Sequence, residues 1–81
     1  MRVTAKDGDD DHWWHNFVKP PSVYLDGVEQ RDVTEADDIK GYIVRVMLDR
    51  AGNLVIDDDK VVYEKLHGVV EIFGIRQPWA E

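Results

Sequence analysis

The chain has 81 residues, 43% of them hydrophobic, and a formal net charge of −7, which bounds it to one small domain with a modest core. It has no cysteine, which rules out disulfide staples, thiolate metal sites and cysteine redox chemistry. Asp and Glu number 17 against 10 Lys and Arg, so the chain repels phosphate backbones and direct nucleic-acid binding is not expected.

The acidity is uneven. Residues 1–19 hold Arg2, Lys6 and Lys19 against four Asp, so most of the excess lies beyond them. It belongs to the folding part of the chain rather than to a tail. Such a surface suits a basic partner, imitates nucleic acid, or simply keeps the chain soluble. No apolar run approaches the roughly 20 residues of a membrane span, and the N-terminus lacks the apolar segment of a secretory signal. The expectation is a soluble protein with no membrane role.

Residues 1–19 read as an N-terminal arm, partly disordered or ordered by docking. Val3 and Thr4 suit a short edge strand, and Asp7 to Asp11 around Gly8 suit a solvated turn. His12 to Phe17 (HWWHNF) is an aromatic cluster without period, and Pro20-Pro21 closes the segment on an extended path. A strand follows at 22–25, then Asp26-Gly27, then a polar strand at 28–33. Asp-Gly supplies the positive φ values of a two-residue type I′ turn, so the two strands form a hairpin. The second strand, with Glu29 to Asp32, suits a sheet edge. Thr34 to Lys40 resembles a helix start and predicts one short helical turn or a wide loop, with Ala36 and Ile39 pointing inward and Gly41 as the stop.

The stretch Gly41 to Leu48 (GYIVRVML) organises the rest. Tyr42, Val44, Val46 and Leu48 alternate strictly, which predicts a strand with that face in the core. Ile43 and Met47 on the other face predict that the strand is central. A five-residue loop with Gly52 leads back through Leu54 to Ile56, whose side chains are expected opposite Val44 and Val46. Asp57 to Lys60 is a polar turn. Residues 61–73 read as one long strand bent, or split by a bulge, at Gly68, so that it serves two sheets. Trp79 in the tail is placed to fold back on the domain.

These elements predict an all-β chain, a small antiparallel five-stranded barrel or sandwich, SH3-like ahead of OB-like. The expected organisation is an arm at 1–19, a β-barrel domain at 20–75 and a C-terminal tail at 76–81.

Chemistry is sparse. His12-x-x-His15 beside Asp9 to Asp11 invites a metal reading, but two His three apart converge only on a helix. Asp7, Asp9 and Asp11 match the first ligands of an EF-hand loop, yet His12 stands where Gly is needed and Val18 where Glu is needed. Ser22 is the sole serine, no Gly-rich phosphate loop occurs, and the carboxylate clusters fall at predicted turns. No catalytic residue, metal ligand or cofactor is assigned, and the expectation is a protein that is not an enzyme. The aromatic cluster is the informative feature. Adjacent Trp13 and Trp14 cannot both face one small core, and exposed Trp marks binding hot spots. Trp13, Trp14, Phe17, His12 and His15 are therefore the candidate protein-binding residues. They either dock on another chain or wrap their own domain.

Residues 23–72 carry Tyr24-Leu25-Asp26-Gly27, Glu35-Ala36-Asp37 leading to Gly41-Tyr42, Gly52-Asn53-Leu54-Val55 and His67-Gly68-Val69-Val70-Glu71-Ile72. In these turn and strand residues the chain is similar to small proteins of tailed-bacteriophage genomes that have no assigned function. The resemblance implies a viral accessory or virion-associated role, in the host cytoplasm or the virion, and carries no catalytic residues. The expected function is a non-enzymatic protein-binding or assembly module whose partner is a second copy, in a homo-oligomer, or a larger viral or host protein. The alternative is an acidic inhibitor, a DNA mimic that blocks a host nucleic-acid-binding protein.

Overall fold

A computed structural model describes residues 1–79. Nine short strands occur among them: β1 (Arg2–Thr4), β2 (Ser22–Leu25), β3 (Val28–Gln30), β4 (Val33–Asp37), β5 (Tyr42–Val46), β6 (Ile56–Asp57), β7 (Lys60–Val61), β8 (Tyr63–His67) and β9 (Val70–Phe73). They form a four-stranded sheet β1-β4-β5-β8, a three-stranded sheet β3-β2-β9 and the β6-β7 ribbon, each antiparallel. The chain is all-β, as its alternating patterns predict, but its strands are more numerous and shorter than the five expected.

The Asp26-Gly27 pair turns β2 into β3 with φ of 51° and 81°, the positive values a type I′ turn needs. β3 lies at a sheet edge, where its polar sequence suits it. Asp58 and Asp59 do the same between β6 and β7, with φ of 49° and 61°. Asp is one of the few side chains that tolerates this region.

Thr34 to Asp37, read as a helical turn or loop, lies instead within β4. Strands on both sides, β1 and β5, satisfy its backbone, and that pairing outweighs a sequence poor in β-formers. Ala36 is buried, but Ile39, expected beside it, is 84% exposed in the turn after β4. That turn is built by Asp37, whose Oδ1 accepts the N–H groups of Ile39 and Lys40, both at 2.9 Å. Gly41 closes it at φ 72°, where a Cβ would lie 2.9 Å from the Gly68 carbonyl oxygen, so only glycine fits without strain.

β5 is central, between β4 and β8. Its core face is not the expected one. Val3, Ala36, Ile43 and Leu66 stand in one cross-strand row and pack into the core. Tyr42, Val44 and Val46 therefore point to the other side of the sheet. There Tyr42 is buried under polar neighbours: its hydroxyl donates to Glu35, and the Lys65 ammonium sits 4.2 Å from its ring centroid. Leu54 and Ile56 do not pair with Val44 and Val46, because β8 holds that edge of β5. The loop at 49–53 does form, closed by the Leu48–Leu54 bridge and by Asp49 capping Ala51 and Asn53.

The long last strand divides at Gly68 as its sequence suggests. β8 ends one sheet and β9 enters the other. The Asp26 turn braces the corner, with Asp26 Oδ1 accepting the Val69 N–H at 2.8 Å. Leu66 on one side of the corner and Val70 and Ile72 on the other reach the same core.

Residues 1–19, expected as an arm, build part of that core. β1 adds an edge to the four-stranded sheet, and Val3 is buried. Phe17 is 1% exposed and, with Ile43, is one of the two largest fully buried side chains among the described residues. Burying side chains of this size contributes about 1.5–3 kcal/mol each.

Candidate interaction surface

Two devices shape the N-terminal aromatic segment. The first is an ionic clamp. The Arg2 guanidinium donates to Asp9 at 3.1 and 3.3 Å, to Asp11 at 2.9 Å and to Glu35 at 3.0 Å. It ties the acidic loop to β4. Asp9 also accepts the Asp11 N–H at 2.8 Å, which tightens the loop from within. The clamp shifts its members' titration. The Arg2 hydrogen bond holds the Asp9 carboxyl below its usual 3.8. Burial pushes Glu35 up, but the Tyr42 hydroxyl and Arg2 together outweigh it, so Glu35 ends below its usual 4.5. The Lys40 and Ile39 N–H groups lower Asp37 in the same way, against a smaller opposing effect of burial.

A pH dependence follows. Carboxyls whose pKa is lower folded than unfolded stabilise the fold above their unfolded values, and that contribution is lost as pH falls through the folded values. The melting midpoint of the protein is expected to drop as pH is lowered from about 5 toward 3. Arg2→Gln should melt lower at pH 7, because Asp9, Asp11 and Glu35 then repel one another, and should lose less on acidification. Circular dichroism melts from pH 7 to pH 3 check this. Parallel curves for the two proteins would remove the clamp's role.

The second device is a 3-10 turn, Trp13–His15. His12 caps it, its Nδ1 accepting the Trp14 N–H at 3.3 Å. Successive side chains on a 3-10 turn point about 120° apart. Trp13 accordingly packs against the core, whereas Trp14 is 57% exposed. His12 is largely covered and His15 exposed. The rings remain in touch along the surface, His12 with Trp14 at 6.1 Å and Trp14 with His15 at 5.1 Å.

The chain after β9 runs back along this segment. Val18 N–H donates to the Ile75 carbonyl and Gln77 N–H to the Asn16 carbonyl, both at 2.8 Å. Arg76 stacks 5.0 Å over the Phe17 ring. The Gln77 side chain donates to the carbonyls of Trp14 and Phe17 at 3.4 and 3.1 Å. Trp79 Nε1 donates to the His15 carbonyl at 2.9 Å, yet Trp79 is 71% exposed. Trp14 and Trp79 are thus both exposed on segments that run together. Val18 and Ile75, neighbours across the paired segments, are also exposed, and so is Phe73, which packs edge-on against Tyr24 at 5.6 Å.

Of the five residues predicted for binding, the structure sets Trp14 and His15 on the surface, Trp13 half inside, and His12 largely covered, its side chain 12% exposed. Phe17 is buried and offers nothing to a partner. Trp79 joins the surface through pairing between the two ends of the chain, for which the sequence holds no local signal beyond an aromatic in the tail. No protein-family model, curated protein or solved structure matches the chain.

Several acidic side chains near the sheets are engaged locally. Asp38 pairs with the N-terminal ammonium at 2.6 Å and Glu64 with Arg45 at 2.5 Å, while Asp26, Asp37 and Asp49 cap backbone N–H groups. Among the described residues no three His, Asp or Glu side chains gather where they could hold a metal ion. A cleft of about 310 Å³ opens between the sheets beside Trp13, Pro20, Pro21, Val23 and Val33. Its one deep carboxylate, Glu35, is already bonded to Arg2 and Tyr42. No helix among the described residues is long and apolar enough to cross a membrane.

Proposed function

We propose that this protein is a non-enzymatic protein-binding or assembly module, a phage accessory or virion-associated protein working in the host cytoplasm or the virion. The observation that carries the reading is the exposure of Trp14 and Trp79 on paired segments, with the Trp79 indole held by its hydrogen bond to the His15 carbonyl. A ring anchored in this way loses little further freedom when a partner covers it, which is what a binding hot spot requires. The corner at Gly68 supports a small-barrel framework, SH3-like before OB-like, carrying the surface. The placement of Asp26, Asp49 and the pair Asp58 and Asp59 at separate turns favours this reading over a DNA mimic, which needs one continuous acidic face.

Selection of a random displayed peptide library on the full chain tests the reading, with Trp14→Ala/Trp79→Ala as the counter-target. Sequences are expected to enrich on the native protein and to bind the variant about tenfold or more weakly, while both proteins melt within a few degrees of each other. Equal enrichment on both would overturn it.

A further inference from the structure

The charge around the aromatic surface specifies its partner, and this step rests on the reading just given. One end of that surface is acidic. The Asp7 carboxylate, fully exposed, lies 3.7 Å from His12 Nε2, and the His12 ring is 6.1 Å from that of Trp14. Asp10 is exposed in the same loop, and so is Lys6, one cation against these carboxylates. The Arg2 clamp orients the loop but leaves it negative, because one guanidinium meets Asp9, Asp11 and Glu35 together. The other end differs: Arg76 stacks over Phe17, and exposed Lys19 follows Val18. A surface that exposes both an indole and carboxylates attracts cations through the ring quadrupole and through the carboxylates.

We infer that the exposed aromatic surface around Trp14 binds a basic protein segment, with Arg or Lys side chains placed at the Asp7–His12–Trp14 end and apolar side chains along Val18 and Ile75. Electrostatic attraction then guides the encounter, and the indoles supply the contact that holds it.

The test titrates the full chain, followed by its tryptophan fluorescence, with a peptide of five Arg-Leu-Gly repeats and with its Glu-Leu-Gly counterpart. A saturable change is expected with the basic peptide only, weakening about tenfold between 50 and 500 mM NaCl. Asp7→Asn/Asp10→Asn should weaken it about fivefold and Trp14→Ala about tenfold, with melting midpoints unchanged. A response to both peptides alike, or none to the basic one, overturns the inference. So does a dimer in sedimentation that Trp14→Ala abolishes and the basic peptide leaves intact. Library selection separates the two failures: enrichment of neutral or acidic sequences on the native chain keeps a protein-binding role and removes only the basic partner.

Discussion

Phe17→Ala is expected to cost about 3–5 kcal/mol, a large share of the stability of a domain this size. A chain of 81 residues has roughly 4–12 kcal/mol to lose. The ring is 1% exposed. A Cβ on Gly74 would lie 2.7 Å from it and Arg76 stacks over it, so no neighbour can close the void cheaply. Phe17→Leu, which keeps most of the volume, should retain much of the lost stability. Deleting residues 1–19 should be worse than Phe17→Ala. It removes Phe17, strips β1 with Val3 from the edge of β4, and leaves Glu35 without Arg2. Urea unfolding followed by circular dichroism checks all three. A deletion variant that unfolds cooperatively at the native midpoint would show that residues 1–19 are an appendage after all.

The second large effect separates the two faces of β5. Ile43→Ala is expected to cost about 2–5 kcal/mol, because Ile43 is 0% exposed between Ala36 and Leu66. Val44→Ala, one residue along, should cost about 1 kcal/mol. Val44 is only half-buried and points away from the core toward a groove shared with Thr4, Lys6 and Tyr63. The same urea experiment reads both, and equal losses would mean that both faces of the sheet are packed alike. The contrast is worth measuring because alternation alone points the other way. Tyr42, Val44, Val46 and Leu48 form the longer apolar series, yet the shorter series holding Ile43 enters the core.

That inversion shows where local reading ends. Elements that depend on a few adjacent residues were legible. Asp26-Gly27 demanded a hairpin, Gly68 divided a long strand, and the polar strand after Asp26-Gly27 belonged at an edge. In each, the constraint is a backbone dihedral or a local run of polarity, and it travels with the residues themselves. The adjacency of Trp13 and Trp14 likewise required one ring to stay outside.

What lay beyond the sequence was set by pairing between distant segments. Thr34 to Asp37 became a strand because β1 and β5 flank it, although its own composition suits a helix start. The core side of β5 was chosen by the company of Val3, Ala36 and Leu66, since hydrophobic burial rewards whichever face meets other apolar surface. Phe17 moved from candidate binding residue to core because the chain end returns to cover it. Trp79 was brought to the Trp13–His15 turn by its bond to the His15 carbonyl, 64 residues away. Local chemistry determined the turns and the presence of an outward aromatic; only the folded sheets decided which side was inside and which rings remained for a partner.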